Sequence, residues 1–423
     1  MLPRRWWIAI LVTAAIAISY LDRLTLSVAI GAVRRDIPIS DVAFSWLHIA
    51  FLVAYGVMYM VGGRVIDALG TRRGFFVVMV FWSLACASHG LAAGFAMLAA
   101  SRFALGLGEG GGFPAATKAV AEWFPVSERA SAMGLINAGT AVGSVIAPPL
   151  IARIILHLDW RWVFFLTGAA GLAWTAWWLW DYHAPADHPR ISPQERDEIL
   201  ARATVDHADD DGGTWLSLLG MRAVWGLVVA KFLSDGAWFF YSLWLPKYLM
   251  DVHGFDTTRV GLYAWIPYAA AGVRSLLGGA FSSWLLRRGW SLNAARKIAL
   301  GLSAALMPWV FFVTVVDVRW ALVLFSVAFF GQQSWSTLVM TLPADLFPRR
   351  LVGSAAGLVG FGGAMGGVTM NLVAGMLLDH YLAAGRLADG YRVVFGVTST
   401  LHVVAFLWIL LMVRRAKTAS APS

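Results

Sequence analysis

Residues Gly63 to Arg73 read G-R-V-I-D-A-L-G-T-R-R and lie between two long apolar stretches. Gly63 allows a neighbouring helix to approach closely, and Gly70 permits a tight turn of the backbone. Asp67 is able to sit against a helix N-terminus or to pair with one of the two arginines that follow. A basic loop that served only membrane topology would need neither the acid nor the glycines. We therefore interpret this stretch as a structured junction between two helices.

The composition of the chain indicates which solvent surrounds it. Of the 423 residues, 59% are hydrophobic and only 13% are charged, whereas soluble domains carry about 25% charged residues. A soluble protein this apolar could not cover its surface with polar groups, so we predict an all-α protein embedded in a lipid bilayer. The net charge of +9 is spread in short clusters between apolar runs, which argues against a nucleic-acid partner. The single cysteine, Cys86, excludes a disulfide scaffold.

An apolar run of about 20 residues is long enough to cross a bilayer as a helix. This rule predicts twelve spans, numbered 1 to 12 in chain order. They cover residues 6–33, 43–66, 74–93, 95–121, 131–156, 161–180, 222–250, 258–286, 296–316, 320–342, 351–378 and 392–413. The first run shows no small-residue cleavage site before Asp22, so it is expected to remain as span 1 rather than to be removed as a signal peptide.

A polar segment divides the spans into two groups of six. We predict bundles over residues 1–180 and 222–423, joined by a cytoplasmic loop over residues 181–221. Within this loop, S-P-Q-E-R-D-E-I-L predicts a short surface helix capped by Ser192, with Glu195 at the capping-box position. Lys and Arg are concentrated in the short loops of one side, which places both termini in the cytoplasm. The expected location is a bacterial inner membrane.

An internal repeat indicates that the two halves are related. E-W-F-P-V-S-E-R-A-S-A-M-G begins at Glu122, and D-L-F-P-R-R-L-V-G-S-A-A-G begins at Asp345. When the two Phe-Pro pairs are aligned, the following residues coincide: Ser131 with Ser354, Gly134 with Gly357, Gly139 with Gly362, and Gly143 with Gly366. The register predicts pseudo-symmetric bundles built from parallel repeats.

Four charged residues are predicted near the middle of the membrane: Asp22 and Arg23 in span 1, and Arg102 and Glu109 in span 4. Charges at this depth are costly unless they are paired or functional. Successive helical residues point about 100° apart, so Asp22 and Arg23 cannot face the same spot. We interpret Arg23 as a clamp for a substrate carboxylate, the alternative being a structural pair with Asp22 or Glu109. Asp22 and Glu109 are interpreted as proton carriers, the alternative being fixed counter-ions. Arg102 either touches the substrate or tunes Glu109.

Other intramembrane groups allow two readings each. Lys231 and Asp235, four residues apart in span 7, form a structural pair or a third titratable or hydroxyl-binding position. Arg274 in span 8 adds an anion contact or pairs with Asp235. None of the nine histidines has an identifiable partner near mid-span. Side chains suited to bind a hydroxylated anion are Tyr20, Tyr55, Tyr241, Gln333, Ser336 and Asn371 for hydroxyl groups, and Trp244 and Trp335 for an apolar sugar face. Each of these is also a common packing residue.

The stretch from Gly63 to Arg73 resembles the signature of the major facilitator superfamily. Y-L-D-R-L-T-L-S-V, A-Y-G-V-M-Y-M-V-G-G and R-F-A-L-G-L-G-E-G-G-G-F-P resemble the anion:cation symporter family within it. K-F-L-S-D-G-A-W, W-L-P-K-Y-L and G-Q-Q-S-W-S are similar to hexuronate-type transporters. The resemblance implies twelve transmembrane helices in two six-helix bundles, with Asp22 and Glu109 as coupling acids and Gln333 in the binding segment. It also implies a cytoplasmic latch between the bundles, made by Gly63, Asp67, Gly70, Arg72 and Arg73.

These observations together predict a proton-coupled symporter that imports an organic anion by alternating access. The expected substrate is a sugar acid such as a hexuronate or an aldonate, with protons as the coupling ion, no cofactor and a monomeric protein. A carrier of aromatic or dicarboxylic acids, or a membrane sensor that does not transport, remains as an alternative. An enzyme is not indicated, because the sequence shows no metal-spaced histidines, nucleophile elbow or phosphate loop. The glycines of G-L-G-E-G-G-G, residues 106–112, are read as helix-packing positions.

Overall fold

The structure is a computed structural model that describes residues 3–39, 41–206, 215–255, 259, 263 and 265–413. All regular secondary structure in these residues is helical. This follows from the apolar composition, because a helix satisfies its own backbone hydrogen bonds where no water is present.

The predicted spans are observed as helices. In the first half these are Arg4–Asp36 for span 1, Asp41–Ser88 for spans 2 and 3, Phe95–Glu109 and Gly112–Trp123 for span 4, Val126–His157 for span 5 and Trp160–Asp181 for span 6. In the second half they are Arg222–His253 for span 7, Trp265–Arg287 for span 8, Leu292–Ala305 with Pro308–Thr314 for span 9, Val318–Leu346 for span 10, Val352–Ala383 for span 11 and Leu387–Met412 for span 12.

Nine helical segments among the described residues are long and apolar enough to cross a membrane. One of them, Trp46–Leu91, contains both span 2 and span 3. These two spans are separated only at Gly70, whose φ of 78° belongs to the left-handed region that favours glycine. The tight turn expected at Gly70 is therefore present.

The chain forms two compact units. Among the described residues, the first unit comprises those within 3–216 and Pro343–Leu358, and the second comprises those within Ser217–Leu342 and 359–413. The change near residue 216 falls inside the predicted loop over residues 181–221. The division into 1–180, 181–221 and 222–423 stays a prediction.

The aligned glycines of the repeat have the same packing role in each unit. A Cβ atom on Gly139 would lie 2.6 Å from the carbonyl oxygen of Thr13 in span 1. A Cβ atom on Gly362 would lie 2.6 Å from the carbonyl oxygen of Val228 in span 7. Span 5 thus packs closely on span 1 in the first unit, as span 11 packs on span 7 in the second.

Span 4, expected as one continuous helix, is interrupted in its backbone hydrogen bonds, although Gly110 and Gly111 keep helical φ and ψ angles. Its two segments meet at Gly110 and Gly111, directly after Glu109. A Cβ atom on Gly110 would lie 2.8 Å from the backbone of Tyr55, and one on Gly111 would lie 2.8 Å from the side chain of Val78. The glycines of this stretch serve helix packing as predicted, and they bring Glu109 close to spans 2 and 3.

The predicted surface helix is present as Pro193–Asp206, and the Ser192 hydroxyl accepts a hydrogen bond from the Glu195 backbone at 3.2 Å. The expected capping box is wrong in one respect. The Glu195 carboxylate accepts hydrogen bonds from the backbone N–H groups of Arg4 and Arg5, at 2.9 and 3.0 Å. It therefore caps the first turn of span 1, where the helix dipole favours a negative charge.

Candidate functional site

Span 1 and span 4 meet in a buried ion pair. Arg23 Nε donates a hydrogen bond to Glu109 Oε2 at 2.5 Å, and the Ser19 hydroxyl donates to the same oxygen at 2.8 Å. The Glu109 side chain is fully buried, whereas the Arg23 side chain is 21% exposed. Glu109 Oε1 is buried and accepts no hydrogen bond from the part of the chain that the structure describes. The acid is thus fully buried, and the base that binds it is partly exposed.

Aromatic rings surround the exposed part of Arg23. Its guanidinium carbon lies 4.4 Å from the ring centre of Tyr55, 4.7 Å from that of Tyr20 and 5.5 Å from that of Phe51. Such contacts stabilise a cation without neutralising its charge. The guanidinium is therefore held in place and keeps its attraction for an anion. Tyr20 and Tyr55, both predicted to bind hydroxyl groups, therefore lie beside Arg23.

Arg102 lies beside this pair but does not touch Glu109. It is 1% exposed, and its Nη2 atom donates to the carbonyl oxygen of Arg23 at 3.2 Å. Its Nε atom is buried without a hydrogen-bond partner among the described residues. Arg102 therefore fixes the backbone of span 1 at the clamp and adds a second positive charge to the cluster.

Asp22 points away from Arg23, as the 100° separation of neighbouring residues requires. It is 1% exposed, and its Oδ2 atom accepts a hydrogen bond from Trp82 Nε1 in span 3 at 2.8 Å. The thiol of Cys86 and the hydroxyl of Thr167, 3.2 Å apart, are close by. Asp22 and Glu109 therefore contact different faces of span 1, each with its own donors, and they are close enough to interact electrostatically.

The second unit contains a separate polar network across spans 7, 10 and 12. Lys231 Nζ donates to Asp235 Oδ1 at 3.0 Å and to the Ser336 hydroxyl at 2.8 Å. Gln332 Nε2 lies 3.3 Å from the same carboxylate oxygen, and its Oε1 atom contacts His402 Nε2. The expectation that no histidine has a partner near mid-span is wrong, because His402 is fully buried in span 12 against Gln332.

The remaining predicted residues of this unit are dispersed. Gln333 is half-buried, one position from the bonded Gln332. Trp335 is fully buried against His402, and Tyr241 is 1% exposed within the hydrophobic core. Trp244 Nε1 donates to Asn371 Oδ1 at 3.0 Å, so these two are brought together. The side chain of Arg274 lies outside the described residues. All these assignments stay predictions.

The stretch from Gly63 to Arg73 forms a polar junction with the start of span 11, within the first unit. Asp67 accepts hydrogen bonds from the backbone N–H groups of Gly353 and Ser354, at 3.1 and 2.6 Å. Lys118 Nζ donates to Asp67 at 2.8 Å. Asp67 thus sits at a helix N-terminus, the first of the two arrangements that its sequence allows. Arg72 Nη2 instead donates to the carbonyl oxygen of Leu179 at 2.5 Å.

Replacing Gly63 by alanine is expected to destabilise this junction. A Cβ atom on Gly63 would lie 2.8 Å from the carbonyl carbon of Gly353, and overpacking of this kind costs about 1–3 kcal/mol. The thermal unfolding midpoint of the purified protein should fall. Gly31→Ala is the matched control, because nothing lies within 4 Å of its added carbon. Equal midpoints for the two variants would show that the close approach has no effect on stability.

A second polar cluster, formed by Asp181, His188, Arg190 and Arg4, joins the segment after span 6 to the start of span 1. Asp181 is fully buried and pairs with both Arg4 and Arg190. His188 Nδ1 accepts a hydrogen bond from the backbone N–H of Arg190 at 3.0 Å, and its Nε2 atom lies 3.1 Å from the carbonyl oxygen of Asp181. Arg4 Nε lies 3.2 Å from the same Nε2 atom. The acceptor role of Nδ1 requires a neutral ring. Burial, followed by the positive charge of Arg4, lowers the pKa of His188 below its ordinary value.

The lowered pKa of His188 in this cluster predicts that the folded protein loses stability in mild acid. An unfolded histidine titrates near pH 6.5, so below that pH the unfolded chain binds a proton that folded His188 resists. The free energy of unfolding should therefore fall as pH drops from about 6.5 towards the lower folded pKa. In thermal unfolding at pH 7.0 and 5.5, His188→Gln should lose less stability on acidification than the wild type. His157→Gln, at an exposed position, is the control and should behave as the wild type.

Several residues of the site carry no distinctive sequence signal. Ser19 lies four residues before Arg23, a spacing that places both on one helix face, and this was the only indication available for it. Trp82 is one of 22 tryptophans. Lys118 lies four residues before Glu122 in the sequence, yet it pairs with Asp67. Their roles depend on which spans are neighbours.

The apolar helices and the charges buried between them define an integral membrane protein whose polar chemistry is internal. The family model of the Major Facilitator Superfamily matches residues 12–369, and the chain belongs to this superfamily. The chain is 32% identical over 382 residues to the hexuronate transporter of Escherichia coli strain K12, covering 89% of this chain and 88% of that protein. It is 33% identical over 308 residues to the galacturonate transporter of Dickeya chrysanthemi, covering 72% and 89%.

A solved structure supports the same fold. The proton:xylose symporter XylE bound to 6-bromo-6-deoxy-D-glucose matches with a TM-score of 0.73 at 16% identity, over 97% of this chain and 96% of that chain. The twelve-helix fold predicted from the sequence is confirmed. The relatives named here are transporters, and no enzymatic family is indicated among them.

Proposed function

We propose that the protein is a proton-coupled symporter that imports a sugar acid, a hexuronate or an aldonate, by alternating access. The observation that carries the proposal is the pair of Arg23 and Glu109, in which a partly exposed cation is bonded to a fully buried acid. The names of the two relatives support the substrate class. A bacterial inner membrane, cytoplasmic termini and a monomeric state belong to the same proposal.

The pair provides a simple exchange of anion for proton. A substrate carboxylate that binds Arg23 competes with the Glu109 carboxylate for the same guanidinium. Glu109 then lies in a buried position without its cation, where the charged form is strongly disfavoured. It therefore takes up a proton as the substrate binds. The charge of the cluster stays constant, because one negative charge arrives and another is neutralised.

The membrane potential explains why a second acid is useful. Moving one charge through 100 mV costs about 2.3 kcal/mol, and an inside-negative potential opposes the entry of an anion. One proton per monoanion only removes this cost. A second proton on Asp22 would make the transported complex positive, so that the potential itself drives uptake.

The substrate class rests on the groups around the clamp. Tyr20 and Tyr55 lie over the Arg23 guanidinium, and tyrosine combines an apolar ring with a hydroxyl group that hydrogen-bonds. A sugar acid presents a carboxylate for the arginine, hydroxyl groups for the phenols and a C–H face for the rings. A carboxylate with no hydroxyl groups cannot make the contacts with the phenol groups.

The test is uptake into proteoliposomes with an imposed pH gradient. We expect D-galacturonate, D-glucuronate or D-galactonate to accumulate when the outside is acidic, and a proton ionophore to abolish accumulation. Benzoate and succinate are tested in parallel for the aromatic and dicarboxylic alternatives. Uptake that does not depend on the pH gradient would refute proton coupling. Uptake of benzoate or succinate without uptake of any sugar acid would refute the sugar-acid assignment.

A further inference from the structure

Trp82 is bonded to Asp22 through its side chain and packs through its backbone beside Gly108, the residue before Glu109. It is fully buried and donates from Nε1 to Asp22 Oδ2 at 2.8 Å. Its backbone lies against span 4, where a Cβ atom on Gly108 would meet Trp82 Cα at 2.6 Å. We propose that Trp82 is a positioning residue that sets the pH at which Asp22 exchanges its proton and links that exchange to Glu109. The proposal rests on the proposed proton-coupled transport.

The hydrogen bond acts on one protonation state of Asp22. An N–H donor stabilises a carboxylate more than a neutral carboxylic acid, because it binds the charged acceptor more strongly. Asp22 Oδ1 is buried and accepts no hydrogen bond from the described part of the chain. The indole N–H at Oδ2 is therefore a main source of stabilisation for charged Asp22.

The other charged and titratable groups near Asp22 are few. Span 4 contributes Glu109, whose charge opposes that of Asp22, and Arg102, whose charge supports it. Span 3 contributes the Cys86 thiol and, one turn further on, the buried imidazole of His89. Span 6 contributes only the uncharged Thr167. Trp82, Cys86 and Thr167 are the neutral hydrogen-bonding partners of Asp22, and the Trp82 indole has the largest effect of the three. With two carboxylates close together in a buried site, this donor influences which acid is charged.

The contact with span 4 provides the link to Glu109. Gly108 immediately precedes Glu109, and its lack of a side chain allows the Trp82 backbone to pack directly against it. The indole also reaches Gly112, since Trp82 Cζ3 lies 3.7 Å from where a Cβ atom on that glycine would stand. Trp82 thus contacts span 4 on both sides of its interruption. A shift of the indole on protonation of Asp22 would be transmitted to the segment that holds Glu109.

The test is the pH profile of D-galacturonate uptake by Trp82→Phe in proteoliposomes. The variant keeps an aromatic ring and loses the N–H, so Asp22 should bind its proton more readily. We expect the pH of half-maximal uptake to rise by about one unit, which corresponds to about 1.4 kcal/mol. Trp82→Gln restores an N–H donor without the ring and should return the midpoint towards that of the wild type.

The matched control is Trp174→Phe. Trp174 is also a buried tryptophan whose Nε1 donates to span 1, but its acceptor is the carbonyl oxygen of Leu11, at 2.9 Å. Its removal should leave the pH midpoint unchanged. Equal shifts in Trp82→Phe and Trp174→Phe, or no shift in either, would overturn the proposal.

A second measurement covers the case in which Trp82→Phe is recovered but does not transport. Binding of D-galacturonate is followed by thermal shift across a range of pH. Trp82→Phe is compared with the wild type, and the double variant Trp82→Phe/Asp22→Asn is compared with Asp22→Asn. The substitution should shift the binding profile only where Asp22 is present. A shift of the same size in both backgrounds overturns the inference alone. A wild-type profile that is flat in both assays overturns the proposed coupling and this inference with it.

Discussion

Replacing Arg23 by alanine is expected to lower sugar-acid uptake by at least about thirtyfold. Removing one partner of a buried, hydrogen-bonded charge pair costs 2–5 kcal/mol or more, and each 1.4 kcal/mol is a tenfold effect. The substitution removes the cation that attracts the substrate, and it leaves the fully buried Glu109 carboxylate without its partner. Initial rates of D-galacturonate uptake into proteoliposomes measure the loss.

Two further variants make the Arg23 result interpretable. Arg23→Lys keeps the charge but loses the forked donors, so it should retain partial activity. Arg161→Ala breaks an exposed ion pair with Asp36, 2.7 Å long and 35% exposed on the arginine side, and should leave uptake nearly unchanged. Normal uptake by Arg23→Ala would show that the clamp assignment is wrong.

Replacing Glu109 by glutamine is expected to separate binding from coupling. The amide is neutral and resembles the protonated acid in shape, so Arg23 becomes permanently available to the substrate. Accumulation driven by a pH gradient should fall by more than about tenfold, which corresponds to at least 1.4 kcal/mol of lost coupling. Exchange of external for internal substrate, which needs no net proton movement, should persist.

The control for Glu109→Gln is Glu128→Gln. Glu128 pairs with Arg5 at 2.8 Å in a partly exposed position near the start of span 5, away from the clamp. It should retain gradient-driven accumulation. Loss of exchange together with accumulation in Glu109→Gln would indicate that Glu109 is needed for binding or folding and is not the coupling acid.

The sequence was most informative where chemistry and helix geometry restrict each other. Asp22 and Arg23 are neighbours on one helix, so their side chains point in different directions. In the structure Arg23 donates a hydrogen bond to Glu109, and Asp22 accepts one from Trp82. Asp67 was expected to bind either a helix N-terminus or an arginine, and it accepts hydrogen bonds from the first residues of span 11. The glycine repeat gave equivalent helix contacts in both units.

The sequence was less informative where tertiary neighbours decide the role of a residue. Gln332 and Gln333 differ by one position, yet the 100° step between them places only Gln332 on the side facing Asp235 and His402. Glu195 satisfied a local capping pattern, but its carboxylate binds the N-terminus of span 1, about 190 residues away. Neither choice is encoded in the residues immediately around these side chains.

The central claim is that substrate and Glu109 compete for Arg23, so that binding the anion requires a proton. The most direct measurement is the pH change of a weakly buffered solution of purified protein when D-galacturonate is added near pH 7. The account predicts uptake of about one proton per bound anion by the wild type, and none by Glu109→Gln at saturating substrate. Saturable binding without proton uptake by the wild type, or equal proton uptake by Glu109→Gln, would contradict it.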